Sequence, residues 1–271
     1  MFSLELECRA EHKDLLIAEL WEQGSCGVVE LDANHIRAFF EEGAGAARLQ
    51  KQFRPFGAQL RVEEDRDWVE YSREKWEPQM VGSRFFLVPE WRDDAAPDGR
   101  FRIIVNPGLA FGTGIHETTQ LCLEALEEHV QPGQTLLDVG TGSGILALAG
   151  ALLGARPIYA CDVDAVAVEV ASCNAQVAPS PIRFFVGSVG AMASGSADLL
   201  AANISPEAIA ALAPELLRVL RPDGRALVSG FERNEADQVK ESMAAAGAVI
   251  EQARHKGSWA LLSTRKLSLP E

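Results

Sequence analysis

Three alternating glycines, Gly140, Gly142 and Gly144, separate a short apolar run from an Ala/Leu-rich helical pattern. Such a break turns a strand sharply into a helix around a ligand, because glycine accepts positive φ and lets the ligand touch the backbone. The next buried run starts at Ile158 and ends in Asp162, 22 positions beyond Gly140. In a βαβ unit this spacing places a carboxylate beside the glycine turn, where it can accept both hydroxyls of a ribose.

The order of small residues in this turn distinguishes two classes of nucleoside ligand. A dinucleotide site needs GxGxxG or GxGxxA, whose last small residue lets the helix pack close to the strand and aims its N-terminus at pyrophosphate. Ile145 stands at that position. S-adenosylmethionine carries no phosphate and makes no such demand, so the pattern favours S-adenosylmethionine over NAD. A plain glycine-rich turn is the remaining alternative.

A loop between Asn106 and Thr119 is rich in glycine and hydroxyl groups. Its central part can fold over a ligand as a lid and bring the Phe111 ring and the Thr113 hydroxyl onto it. His116 then opens a segment that is a near miss for the zinc-protease pattern HExxH, because its fifth residue is glutamine. We therefore predict no metal. The alternative is that the hydroxyls at the end of the loop only cap a helix and that His116 is structural.

Asn203 ends a further strand pattern, Asp198–Ala202, and is followed by Ile204 and Ser205. A strand end on the carboxyl edge of the sheet puts its amide and a freed backbone carbonyl next to the ligand. Methyltransferases that act on planar amino groups resemble each other in carrying an aromatic ring here, for stacking, and this chain has none. That argues against base flipping and glutamine methylation and for an sp3 amine. Asn203 could alternatively be a turn residue.

Apolar periodicity predicts two domains joined by a linker. Residues 1–64 follow the order βαββαβ, which suggests a ferredoxin-like sandwich. Residues 65–79 form a charged hinge and a linker helix with an aromatic face. Residues 80–271 alternate between strand and helix patterns, which predicts an α/β domain whose mostly parallel sheet has helices on both faces. Two strand patterns in succession at the end imply an antiparallel edge.

Composition indicates an ordinary globular protein of 271 residues, 47% hydrophobic and 24% charged. The N-terminus alternates apolar and acidic residues, unlike a secretion signal, and no apolar run reaches the ~20 residues that cross a membrane. The five cysteines form no CxxC pair and are odd in number. We expect reduced thiols and a cytoplasmic protein.

The formal net charge of −14 arises from 39 acidic and 25 basic residues. A protein that bound bare nucleic acid would be expected to carry a basic patch, so we predict no direct nucleic-acid partner. The charge can serve solubility alone. Otherwise it points to a strongly basic macromolecular partner.

The combined motifs resemble the PrmA family, which methylates ribosomal protein L11. The resemblance covers roughly Trp68 to Trp259 and is most specific in Phe-Gly-Thr-Gly-x-His-x-Thr-Thr, which ends at Thr119. It implies a small ferredoxin-like recognition domain, a linker helix and a class I, Rossmann-like methyltransferase domain. It also implies methyl transfer from S-adenosylmethionine to an α-amine and to lysine ε-amines of that basic ribosomal protein. Ser205-Pro206 departs from many relatives.

Combining the motifs with this resemblance assigns a role to each candidate residue. Cofactor binding is predicted for Thr119, Gly140, Gly142, Gly144, Asp162 and Asn203. Catalytic roles are predicted for Asn203, Phe111, Thr113 and His116. No strong general base is obvious, and we expect a monomer. Two alternatives stay open at this point: a methyltransferase for RNA or a small molecule, and a nucleoside-binding module without turnover.

Overall fold

The computed structural model describes residues 2–8, 13–32, 34–62, 77–105 and 116–267. The chain divides into two compact units, Met1–Lys75 and Trp76–Glu271. Most of the predicted linker helix at 65–79 lies outside the described residues. Its last residue, Gln79, already belongs to a strand, so the helix does not extend that far.

The smaller unit has the element order βαββαβ. Its strands form an antiparallel sheet in the order β2-β3-β1-β4. The apolar positions of β1 alternate, and Leu4 and Leu6 are buried in a core with Phe40, Leu49 and Phe53. Assignment of this unit to the ferredoxin-like class stays a prediction. The elements are β1 (Phe2–Glu7), α1 (Lys13–Glu22), β2 (Gly27–Glu30), β3 (His35–Phe40), α2 (Ala46–Gln52) and β4 (Gln59–Val62).

The larger unit alternates strands and helices along most of its length. Its elements are β5 (Gln79–Val81), β6 (Phe85–Pro89), β7 (Phe101–Val105), α3 (Glu117–His129), β8 (Leu136–Val139), α4 (Ile145–Leu152), β9 (Ile158–Asp162), α5 (Ala165–Asn174), β10 (Ile182–Val186), β11 (Ala197–Asn203), α6 (Pro206–Val219), β12 (Leu220–Glu232), α7 (Ala236–Ala245), β13 (Ala248–Lys256) and β14 (Trp259–Lys266). No helix in the described part of the chain is long and apolar enough to cross a membrane.

Seven of these strands form one sheet in the order β10-β9-β8-β11-β12-β14-β13. The first five are parallel, and β14 and β13 pair antiparallel at the edge. The predicted mostly parallel sheet with an antiparallel edge is therefore confirmed. Strands β5, β6 and β7 form a separate three-stranded sheet that the sequence did not predict.

Both faces of the large sheet are covered. Leu136 of β8 is buried in a core shared with α3 and α4, whereas its neighbour Leu137 is buried in a second core with α6 and α7. Strands buried on both sides need apolar residues at successive positions, which explains the continuous apolar runs. Strand order reverses between β8 and β11, and the carboxyl ends of parallel strands open a crevice at such a point.

Candidate active site

A cavity of about 470 Å³ lies at the carboxyl ends of the parallel strands. This volume falls within the roughly 300–1,000 Å³ that is usual for small-molecule sites. The strands β8, β9, β11 and β12 and the start of β14 all contribute to its wall. Six predicted site residues line it: His116, Thr119, Gly140, Gly142, Asp162 and Asn203.

All three glycines of the turn have positive φ, but only two of them line the cavity, while the third lets two helices pack closely. Gly140, Gly142 and Gly144 have φ of 70°, 52° and 81°, a region that side chains disfavour. Gly140 and Gly142 face the cavity. Gly144 does not line the cavity. A Cβ on Gly144 would lie 3.0 Å from the Cβ of Ala171, so its lack of a side chain lets α4 and α5 approach. Its role in cofactor binding stays a prediction.

Asp162 ends β9 and is partly exposed at the cavity wall. Its Oδ2 accepts a hydrogen bond from the Gly142 amide at 3.0 Å, and its Oδ1 accepts one from the Asp164 amide at 3.1 Å. Each carboxylate oxygen has two lone pairs. Asp162 can therefore hold the glycine turn and still accept ligand hydroxyls.

A second carboxylate, Asp138, is completely buried beneath the same turn. Its Oδ2 accepts hydrogen bonds from the Thr141 hydroxyl at 2.7 Å and the Ala147 amide at 3.1 Å, while its Oδ1 has no hydrogen-bond partner among the described residues. Burial raises the pKa of Asp138 from 3.8 to about 6, against the effect of these hydrogen bonds. The sequence analysis assigned Asp138 no role, although its place before the first glycine was a usable signal.

Asp138 should make the free energy of unfolding depend on pH. Because its pKa is higher in the folded than in the unfolded protein, the contribution of Asp138 to stability is full below pH 4 and is lost as pH rises through about 6. The expected decline is about 3 kcal/mol, at roughly 1.4 kcal/mol per pKa unit. Asp138→Asn should remove this contribution. Urea unfolding of both proteins from pH 4 to pH 7 measures it, and parallel pH profiles would contradict the assignment.

His116 caps the helix that carries the opposite wall of the cavity. Its Nδ1 accepts a hydrogen bond from the Thr118 amide at 3.4 Å and lies 2.8 Å from the Thr118 hydroxyl. The predicted alternative of threonine caps is wrong, because His116 itself is the N-cap of α3. With Nδ1 accepting, the proton of the neutral imidazole is on Nε2. His116 also lines the cavity.

Thr119 and Asn203 meet across the cavity wall although they are distant in sequence. The Asn203 Nδ2 donates a hydrogen bond to the Thr119 hydroxyl oxygen at 3.3 Å. Asn203 stands at the end of β11, as predicted, and pairs in register with Ser229 of β12. Because Nδ2 makes this hydrogen bond, the amide oxygen Oδ1 is the second hydrogen-bonding atom of the Asn203 side chain.

Trp259 is a site residue that the sequence analysis missed. It opens β14 and lines the cavity. Its ring meets the His116 imidazole edge to face, with the ring centroids 4.5 Å apart. The sequence predicts Trp259 only as the first residue of a strand over residues 259–263. Pairing of β14 with β12 is what brings it to the carboxyl edge of the parallel strands.

Ser205 and Pro206 begin α6. The Ser205 hydroxyl accepts a hydrogen bond from the Ala208 amide at 3.3 Å, and Pro206 occupies the first turn. A serine N-cap followed by proline is a favoured helix start, since proline has no amide hydrogen to leave unpaired there. Ser205 and Pro206 therefore have a local structural role at the start of α6.

The predicted lid residues Phe111 and Thr113 lie outside the described residues, so their roles stay predictions. Among the residues that are described, no group of three or more His, Cys, Asp or Glu side chains is arranged to hold a metal ion. The arrangement of the described wall is a glycine turn and a carboxylate on one side, with an amide, a hydroxyl and two aromatic rings on the other.

Comparison with known proteins finds matches over most of the chain. Residues 27–267 match the family described as ribosomal protein L11 methyltransferase (PrmA). The chain is 40% identical over 209 residues to the ribosomal protein L11 methyltransferase of Symbiobacterium thermophilum, which covers 77% of this chain and 69% of that one. It is 38% identical over 210 residues to the protein of the same name from Paraburkholderia xenovorans, again covering 77% and 69%.

Similarity extends to solved structures. The crystal structure of a ribosomal protein L11 methylase from Lactobacillus delbrueckii subsp. bulgaricus superposes with a TM-score of 0.65 at 32% identity. The superposition covers 70% of this chain and 100% of that one.

Proposed function

Because this chain belongs to the ribosomal protein L11 methyltransferase (PrmA) family, we infer that it transfers methyl groups from S-adenosylmethionine to ribosomal protein L11. One observation of the structure supports this function above the others. A single cavity has a glycine turn and Asp162 on one side and the hydrogen-bonded pair Asn203 and Thr119 on the other. It thus offers adjacent places for a nucleoside and for an acceptor group.

The residues on the first side fit S-adenosylmethionine. Gly140 and Gly142 let the ligand approach the backbone, and Asp162 has lone pairs left for ribose hydroxyls. The side chain of Val163 is 78% exposed despite being apolar and lines the same cavity, which suits contact with a base. When bound, S-adenosylmethionine supplies a methyl group on a sulfonium, which is a good leaving group.

The residues on the second side orient the acceptor. An amine must be neutral and in line with the methyl group, and positioning alone accounts for much of the rate in such reactions. With Asn203 Nδ2 donating to Thr119, the Asn203 Oδ1 is available to accept an N–H of the amine. The only ionisable side chains among the described lining residues are His116 and Asp162. Desolvation of the amine, which lowers the pKa of a lysine, then favours loss of its proton to water.

The residues that follow Asn203 indicate which kind of amine accepts the methyl group. Ile204 and Ser205 follow Asn203 and provide no ring on which a planar base or amide could stack. We expect lysine ε-amines and the N-terminal α-amine of ribosomal protein L11 as acceptors. The surplus of acidic residues suits a basic partner of this kind. We further propose that the protein is a cytoplasmic monomer that binds neither nucleic acid nor membranes.

The test is transfer of labelled methyl groups from S-adenosylmethionine. Purified ribosomal protein L11, ribosomal RNA and buffer alone are incubated with the protein, and mass spectrometry locates the label. We expect label in the protein substrate, on amines only. Label in RNA would instead support an RNA methyltransferase. Cofactor binding without transfer to any acceptor would support a nucleoside-binding module.

The predicted lid can be tested in the same assay. If residues 111–114 close over the bound ligands, replacing both Gly112 and Gly114 by valine should remove the backbone freedom that closure needs. Turnover should then fall by more than the affinity for S-adenosylmethionine. Equal losses in kcat and in affinity would indicate a static wall instead.

A further inference from the structure

The backbone of Ile204 packs directly against Gly230 of β12. A Cβ built on Gly230 would lie 2.2 Å from the Ile204 carbonyl oxygen, 2.8 Å from its carbon and 2.9 Å from its nitrogen. Side-chain Cβ atoms essentially never approach this closely, and the atoms involved are backbone atoms that no rotamer change can move. A side chain at Gly230 therefore requires the Ile204 backbone or β12 itself to shift.

The path of β12 is irregular at the same point. The register between β12 and β14 shifts between Ser229 and Phe231, which leaves Gly230 as the extra residue of a β-bulge. Gly230 has φ of 102°, and the Ser229 carbonyl just before it accepts a hydrogen bond from the Ile204 amide at 3.1 Å. Bulges re-aim the chain and are frequent beside active sites. Here the bulge presents the bare Cα of Gly230 to Ile204.

Ile204 is also held from its other side. A Cβ built on Gly140 would lie only 2.3 Å from the Ile204 Cγ2. Gly140 belongs to the glycine turn on the cofactor side, whereas Gly230 belongs to β12. All three residues line the cavity. Ile204 is thus clamped between two glycines and connects the glycine turn to Asn203.

We propose that Gly230 is a positioning residue for methyl transfer: its missing side chain lets the Asn203–Ile204 turn sit where Asn203 orients the acceptor amine. This inference rests on the proposed function. A shift of the turn moves the Asn203 amide away from Thr119 and from the acceptor. It leaves Asp162 in place on the opposite side of the cavity. Because Asn203 and Thr119 are also predicted cofactor contacts, the affinity for S-adenosylmethionine should fall too, but by a smaller factor than kcat.

Gly230→Ala tests the proposal, with Gly247→Ala as a matched control. Gly247 has almost the same φ, 101°, but nothing lies within 4 Å of a Cβ built on it. Both substitutions place a side chain at almost the same unfavourable φ, and only one introduces the clash. We expect Gly230→Ala to lower kcat by about 10- to 100-fold, as a displacement near 1 Å can. The Kd for S-adenosylmethionine, from calorimetry, and the KM for ribosomal protein L11 should rise by clearly smaller factors than kcat falls, and equal factors would contradict a positioning role.

Gly247→Ala should keep its kcat within about 2-fold of the original protein. Equal kcat for the two variants, at a temperature where both are folded, would overturn the inference alone. Absence of transfer by the unmodified protein would overturn the proposed function and the inference together.

Ile204→Ala covers the case in which Gly230→Ala does not fold. It introduces no clash and loosens the clamp by removing the side chain that lies against Gly140. It should lower kcat about 10-fold, as a small misplacement of Asn203 can, and by a larger factor than it raises the Kd for S-adenosylmethionine. An unchanged kcat would count against the proposal.

Discussion

Replacement of Asp162 by alanine is expected to weaken S-adenosylmethionine binding by about 10- to 100-fold. The variant loses charge-assisted hydrogen bonds to the ribose, worth about 1.5–3 kcal/mol in total. It also removes the acceptor of the Gly142 amide, 3.0 Å away, which helps to hold the glycine turn. Both losses act on the cofactor side of the cavity. Titration calorimetry with S-adenosylmethionine measures the change as a ratio of Kd values.

Asp164→Ala is the matched control. Asp164 lies two residues further on, and its carboxylate also accepts a backbone hydrogen bond, from the Val166 amide at 2.8 Å. It is the N-cap of α5 and does not line the cavity, so its loss should lower stability by about 1 kcal/mol and leave the Kd almost unchanged. An unaltered Kd in Asp162→Ala would refute the ribose assignment. An equal loss in both variants would assign the effect to the start of α5 instead.

Much of the parallel part of the fold was predictable because its strands are mostly apolar. The sequence predicts strands over residues 135–139, 158–161 and 182–186, and the structure has β8, β9 and β10 at Leu136–Val139, Ile158–Asp162 and Ile182–Val186. The start of β12 could not be predicted in this way. Pro222, Asp223 and Gly224 are turn formers, so the sequence predicts a strand only from Ala226. In the structure β12 begins at Leu220, and Asp223 accepts φ of 60° within it. β5 was missed because it has three residues, of which only Val81 is buried.

The candidate site was predictable where its residues are close in sequence. The glycine turn and Asp162 belong to one βαβ unit, so their spacing alone brings them together. Trp259 and Gly230 reach the cavity only through the sheet order and the bulge in β12, and no local pattern encodes those. The hydrogen bond between Thr119 and Asn203 likewise joins residues 84 positions apart. Individual residues could be proposed from the sequence, but their contacts could not.

A chain that begins at Asp65 is expected to bind S-adenosylmethionine normally while its methylation of ribosomal protein L11 falls to near background. Every described residue that lines the cavity lies between His116 and Trp259. The two cores of the larger unit are built from residue 81 onwards, and the smaller unit has a core of its own. The larger unit should therefore fold alone and keep its cofactor site. We propose that the smaller unit grips the protein substrate, so its loss removes recognition and not chemistry.

Two measurements separate recognition from stability. The first is the Kd for S-adenosylmethionine together with the melting temperature: if both deteriorate in the shortened chain, the smaller unit stabilises the larger one. The second is methylation of a short lysine-containing peptide, which is too small to need a separate grip. Both chains should methylate this peptide at the same low rate, because the residues that orient the amine are common to them. If the shortened chain methylates ribosomal protein L11 at the full rate, the recognition role is wrong.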